Sequence, residues 1–177
     1  MPIPSKPHKP LVVIVDDETM VTSSIEALLA LDDLYDTVCF NDPIEALTAI
    51  KEAPYPPALV ISDYLMPQQD GITFLKAVKA IHPECTFILL TGYADKENAI
   101  NAINEVGIFR YIEKPWDNTD IQMAIRNGVE RSQILSKLEQ KIDELEQNKS
   151  LLEKFNFQLE AIIWERTASL KAIFENT

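Results

Sequence analysis

Leu11 to Val15 reads LVVIV, and Asp16, Asp17 and Glu18 follow it without a break. The run is short, continuous and rich in β-branched residues, with Pro10 before it. Apolar runs that lack alternation fit strands covered on both faces, the environment of a parallel sheet. Similar runs recur at Ala58 to Ile61 (ALVI) and Thr86 to Leu90 (TFILL), with weaker candidates at Thr37 to Phe40 (TVCF) and Ile108 to Ile112 (IFRYI). Helical spacing separates them: Ile25, Leu28 and Leu29, then Ile44, Leu47 and Ile50 behind an expected N-cap at Asp42 and Pro43 at the first helical position. Phe74, Leu75, Val78 and Ile81 mark a third helix closed by Pro83, and Ala99, Ile100 and Ile103 a fourth ending near Gly107. Five strands alternating with helices over short loops predict a doubly wound α/β domain with a five-stranded parallel sheet. Such sheets place ligands beyond the carboxyl ends of their strands, where the strand order reverses.

The texture changes after Pro115, beyond which there is no proline and a single glycine, Gly128. With Ile121 as position a, a heptad runs unbroken to the end. Its a positions include Leu135, Ile142, Lys149, Asn156, Ile163 and Leu170, and its d positions Leu138, Leu145, Leu152, Leu159, Arg166 and Ile173. A narrow a/d stripe from Leu135 to Ile173 suits a seam between two helices better than one helix folded back on a domain. Asn156 and Lys149 at a positions favour a dimer in fixed register, while Phe155 and Ile162 at g positions widen the stripe. The expected organisation is a flexible tail over 1–9, the α/β domain over 10–128, and a coiled-coil signalling helix over 129–177.

Composition narrows the function. A net charge of -12 and a pI near 4.5 argue against a non-specific grip on nucleic acid or anionic membrane. The first ten residues hold no apolar core and are not a signal peptide, and no run approaches the roughly 20 apolar residues of a membrane span. Cys39 and Cys85 lie in apolar segments without CxxC spacing and are expected to be reduced core residues. A cytoplasmic location is the expectation.

Four polar positions then stand out: Asp16-Asp17 after LVVIV, Asp63 after ALVIS, Thr91 after TFILL, and Lys114 after IFRYIE. In a parallel sheet all four emerge on one edge. Converging carboxylates repel one another unless a cation neutralises them, and oxygen ligands of this hardness suit Mg²⁺. A lysine and a threonine opposite them could neutralise and hydrogen-bond phosphoryl oxygens. His8 and His82 fall outside this edge and are expected to be exposed, no cysteine is placed there, and the four glycines form no phosphate loop. A carboxylate is the remaining nucleophile, and its product would be an acyl phosphate.

These residues resemble the receiver domain of two-component response regulators. The resemblance rests on VDDE at Val15 to Glu18, SDYLMPQQDG at Ser62 to Gly71, the TG step at Thr91-Gly92, and YIEKPW at Tyr111 to Trp116. It covers about Pro10 to Gly128 and implies a flavodoxin-like sheet. Asp63 is then the phosphoacceptor. Asp17, Asp63 and the Leu65 backbone carbonyl bind Mg²⁺ directly, and Asp16 does so mainly through water. Lys114 pairs with the phosphoryl group, and a cis bond is expected between it and Pro115. Thr91 and Tyr111 move as the switch. Gln68-Gln69 depart from the family's usual loop residues, and Leu65 and Tyr93 are bulky at positions that tune dephosphorylation.

The implied partner is a sensor histidine kinase or phosphotransfer protein, and the implied role is a switch rather than an enzyme with a released product. Two other readings stand beside it: an aspartyl phosphatase, for which Asp16 and Glu18 match poorly, and an inert dimerisation module, against which the complete set of site residues argues. The C-terminal segment is roughly charge-balanced and lacks a helix-turn-helix signal, so no direct nucleic-acid binding is expected. RTASL and LKAIFENT look like signalling-helix linkers, and an output module beyond Thr177 is the expectation.

Overall fold

The structure is a computed structural model, and it describes residues 3, 9–92 and 106–175. The helix expected at Ala99, Ile100 and Ile103 lies outside the described residues, as does His8. The chain divides into two compact units, Met1–Leu135 and Ser136–Thr177.

In the first unit the strands are β1 (Leu11–Val15), β2 (Asp36–Phe40), β3 (Leu59–Asp63), β4 (Thr86–Thr91) and β5 (Arg110–Glu113). The helices are α1 (Thr19–Ala30), α2 (Pro43–Glu52), α3 (Gly71–Ile81) and α4 (Asn118–Glu175). All strand pairs are parallel, in the order β2-β1-β3-β4-β5. The order reverses between β1 and β3, so the switch point lies where Asp16 and Asp63 leave the sheet.

The continuous apolar runs have the cause expected of them. Val13, Val15, Val60, Phe87 and Leu89 face a core closed by Ala46 and Ile50 of α2 and by Phe74, Leu75 and Val78 of α3. The alternate residues Val12, Ile14, Leu59, Ile61, Ile88 and Leu90 face a second core closed by Ile25 and Leu29 of α1 and by Ile121, Ala124, Ile125 and Val129 of α4. A strand buried on both faces has no polar side to show. The two weaker candidates are the edge strands β2 and β5, where burial is partial and alternating. β5 starts later than the apolar pattern suggested. Gly107, at φ 73°, turns the chain first, and Ile108 is buried ahead of the ladder.

Near its start α4 is a core helix. Ile121, Ala124, Ile125, Gly128, Val129 and Ser132 are buried, and the Ser132 hydroxyl donates to the Glu84 carbonyl at 3.3 Å. The heptad positions Ile121, Ala124 and Gly128 therefore serve the sheet. Gly128 belongs to a close approach, since a Cβ there would meet Leu59 Cδ1 at 2.9 Å. In the second unit, Ser136–Thr177, helix is continuous to Glu175 and its large apolar residues are exposed.

His82 departs from expectation: it is partly buried. It ends α3 with its N–H donating to the Val78 carbonyl at 2.8 Å, and Cys85 N–H returns to the His82 carbonyl at 3.2 Å. That tight turn folds the imidazole inward, leaving Nδ1 3.8 Å from Glu84 Oε1. Cys85 is buried, and Cys39 is half-buried with its thiol pushed up to about 12 by burial.

Side-chain caps start α2 and α3, whereas Glu18 ahead of α1 makes no side-chain cap bond. Asp42 accepts from the Ile44 N–H at 2.8 Å, with Pro43 at the first turn. Asp70 accepts from the Thr73 N–H at 2.9 Å and the Thr73 hydroxyl at 2.7 Å. Partial burial alone would raise the Asp70 pKa, but the Thr73 and Ile72 hydrogen bonds outweigh it and hold the carboxyl below its ordinary value. A depressed folded-state pKa stabilises above the unfolded value and is lost as pH falls through the folded one. Asp70→Ala should cost about 1 kcal/mol in urea denaturation at neutral pH, and the gap from the wild type should close as pH falls below the carboxylate range.

Candidate functional site

The site is built from strand ends. Val15 pairs with Ser62, so the residues that follow, Asp16 and Asp63, stand side by side beyond β1 and at the last position of β3. Asp16 is fully buried, Asp63 is buried, and Asp17 is exposed. Three hydrogen bonds hold Asp16 in place. Its N–H donates to the Phe40 carbonyl at 3.2 Å, its carbonyl accepts from Asn41 Nδ2 at 2.7 Å, and its Oδ1 accepts from the Glu18 N–H at 2.9 Å.

Lys114 reaches this pair from the far side of the sheet. Its N–H donates to the Thr91 carbonyl at 2.9 Å, which fixes its backbone beside the end of β4. Its ammonium then crosses that end and sits 2.7 Å from Asp16 Oδ2 and 2.8 Å from Asp63 Oδ1, with Glu18 Oε1 at 3.9 Å. The peptide bond from Lys114 to Pro115 is cis.

The electrostatics follow from burial. Loss of water raises the Asp16 pKa, and the neighbouring Asp63 charge adds to this. The hydrogen bonds from Lys114 and the Glu18 N–H oppose it without cancelling it. Burial works against the Lys114 ammonium too, but its hydrogen bonds to Asp16 and Asp63 prevail and its pKa is raised. The lysine is thus held charged between two carboxylates that would otherwise repel.

Carboxylate oxygens of Asp16, Asp17 and Asp63 lie within 4.8 Å of one another. Three hard oxygen donors at that spacing, two of them in buried residues, fit a small divalent cation. Leu65, with an exposed side chain, follows Asp63 by two residues, and Met66 buried beside it anchors the loop in the core. Thr91, buried at the end of β4, donates its hydroxyl to the Gly92 carbonyl at 3.1 Å. Thr91 pairs with Glu113, two residues beyond Tyr111, so Thr91 and Tyr111 lie on the same face of the sheet. Tyr111 is half-buried against the core that holds Leu89. Tyr93 lies outside the described residues.

Three contributors were not singled out from the sequence: Asn41, Glu18 as a neighbour of Lys114, and the packing role of Gly71. A Cβ at Gly71 would stand 1.9 Å from the Asp63 carbonyl oxygen, so α3 begins directly against the backbone of the central carboxylate. A glycine eight residues after that aspartate was the available signal, but nothing local said what it touches.

With fold and site described, residues 12–126 match the response regulator receiver domain. The chain belongs to the response regulator receiver family. Members are signalling proteins that accept phosphoryl groups, bind Mg²⁺ at an acidic pocket and interact with histidine kinases or phosphotransfer proteins. The hydrogenase transcriptional regulatory protein HoxA of Cupriavidus necator is 33 % identical over 119 residues, covering 67 % of this chain and 24 % of that protein. The DNA-binding transcriptional regulator NtrC of Escherichia coli is 31 % identical over 123 residues, covering 70 % of this chain and 25 % of its own length. The chain thus spans about a quarter of the length of these two curated relatives. A receiver domain protein from Clostridium thermocellum superposes with a TM-score of 0.66 at 32 % identity, over 71 % of this chain and 98 % of that one. Among the described residues no helix is long and apolar enough to cross a membrane.

Gly71→Ala should destabilise the first unit by about 1–3 kcal/mol in urea denaturation, because the added methyl meets backbone and not a side chain that can turn away.

Proposed function

We propose that Asp63 is the phosphoacceptor of this receiver, taking a phosphoryl group from a phosphohistidine on a sensor kinase or phosphotransfer protein. The supporting observation is the single ammonium of Lys114 bridging Asp16 and Asp63 at 2.7 and 2.8 Å at the sheet's switch point.

An Asp63 carboxylate oxygen attacks phosphorus in line as the bond from phosphorus to the donor imidazole nitrogen breaks. Lys114 follows the negative charge, exchanging its contact with Asp63 Oδ1 for a phosphoryl oxygen while keeping Asp16. Asp16, Asp17, Asp63 and the Leu65 carbonyl are the groups that would hold Mg²⁺, which when bound offsets charge on the phosphoryl oxygens. The Thr91 hydroxyl gives up one bond, to the Gly92 carbonyl, and turns to the phosphoryl group; Tyr111 follows from its half-buried position. Phosphorylation in this way biases an existing two-state equilibrium. Water later attacks phosphorus and returns carboxylate and inorganic phosphate.

In this reading the domains are the tail over 1–9, the receiver over 10–128 and the helix over 129–177. The helix pairs with that of a second copy as a coiled coil and carries the switch to an output module. The helix positions Leu138, Leu145, Leu152 and Leu159, all exposed, support a paired seam.

Incubation with acetyl phosphate and Mg²⁺ should add one phosphoryl group to the intact mass, and Asp63→Asn or a chelator should abolish the gain. Lys114→Ala should slow the transfer by a factor on the order of 10²–10³, the loss typical of one charge-stabilising donor. Unmodified protein would favour an inert dimerisation module, and turnover of unrelated phosphomonoesters a phosphatase.

A further inference from the structure

The second unit carries its own asymmetry of charge. Along the heptad the e positions are Glu139, Glu146, Glu153 and Glu160, a column of like charge. The g positions beside the same seam are Lys141, Asn148, Phe155 and Ile162, with no acid among them. Between the two columns run Leu138, Ile142, Leu145, Leu152, Leu159 and Ile163, exposed by 41 to 67 % in the single chain. A seam of this kind needs a partner, and its flanks say which way that partner runs.

Two helices running the same way bring each g residue against the e residue of the next heptad in the other chain. Lys141 then faces Glu146, Asn148 faces Glu153, and the Phe155 ring lies over the stem of Glu160. No pair is repulsive. Lys141, which in the single helix bonds Glu144 at 2.6 Å, needs only a rotamer change to reach across. Helices running in opposite directions instead oppose e with e. In the register that keeps Leu138 against Ile163 and Ile142 against Leu159, Glu139 meets Glu160 and Glu146 meets Glu153, repulsion at every pair. The g column gives nothing back, because Lys141 meets only Ile162.

Among the polar seam residues, Asn156 favours the same orientation. Asn156 at an a position is best served by its own counterpart in an in-register parallel pair, where the two amides can hydrogen-bond; one such residue favours two strands in one register. Lys149 and Arg166 face their counterparts in that arrangement and form its two weak layers. The antiparallel register would separate the lysines, but at the cost of the whole glutamate column.

Resting on the reading of the helix as a dimer seam, we propose that the occupant of this face is a second copy of the chain, bound parallel and in register over Leu138 to Ile173. Both chains then enter the seam from the same end.

The variants Leu138→Cys and Ile163→Cys of the full chain, each carrying one added thiol, test this in a thiol–disulfide redox buffer. The unsubstituted chain is the control for the native thiols Cys39 and Cys85. The expected result is covalent homodimer for each variant alone and, when the two are mixed, no disulfide joining position 138 of one chain to position 163 of the other. A dominant mixed product would show antiparallel pairing and overturn the proposal. So would a monomer, trimer or tetramer for the unsubstituted chain in sedimentation equilibrium, a measurement that needs no substitution. Phosphorylation of the same variants by acetyl phosphate reads Asp63 separately, so an antiparallel or monomeric result leaves the acceptor assignment standing, and loss of phosphorylation would count against the acceptor and not the orientation.

Discussion

One ammonium holds the edge of this sheet together. Lys114 Nζ stands between Asp16 and Asp63, at 2.7 and 2.8 Å, and each of the three groups is drawn from a different strand end. Asp16 is buried outright and costly to keep charged in isolation, while Asp63 beside it adds repulsion. The bridge makes the cluster tolerable, and in the proposed reaction the phosphoryl group competes for the same cation. Removing such a lysine does more than delete a contact, since it strands a buried carboxylate next to a second one.

The surrounding fold serves this arrangement. Parallel strands deliver every carboxyl end to one edge, and the reversal of strand order separates the connections above β1 and β3 so that a ligand can enter. Backbone bonds then fix the pieces: Asn41 and Glu18 hold Asp16, the Thr91 carbonyl holds Lys114, and Gly71 lets α3 start against Asp63. Thr91 and Tyr111 sit on the face of the sheet opposite the core that receives Ile121 and Ile125 of α4.

Much of this was legible in the sequence, for reasons that can be named. LVVIV, ALVI and TFILL announced a parallel sheet because both faces of β1, β3 and β4 are covered. The edge strands were fainter because exposed residues such as Arg110 dilute the apolar pattern. Asp16, Asp63, Thr91 and Lys114 were visible as polar residues at strand ends, and their convergence follows once the strands are parallel. Contacts that depend on distance in space were not visible: the Asn41 bond to the Asp16 carbonyl, the tight seat of Gly71, and the turn that draws His82 inward. The heptad starting at Ile121 read as one pattern, yet its first members are spent on the receiver core, since a 3.5-residue repeat and the buried stripe of a core helix look alike over two turns.

Asp63 as the group that carries the phosphoryl is the claim on which the rest depends. Borohydride reduces an acyl phosphate to the corresponding alcohol, leaving homoserine in place of the phosphorylated aspartate, a mark that peptide sequencing by mass spectrometry reads at a single position. After reaction with acetyl phosphate and Mg²⁺, homoserine is expected at position 63, with unaltered aspartate at 16 and 17. Homoserine at 16 or 17, or at neither these nor 63 in a chain shown to be phosphorylated, would contradict it.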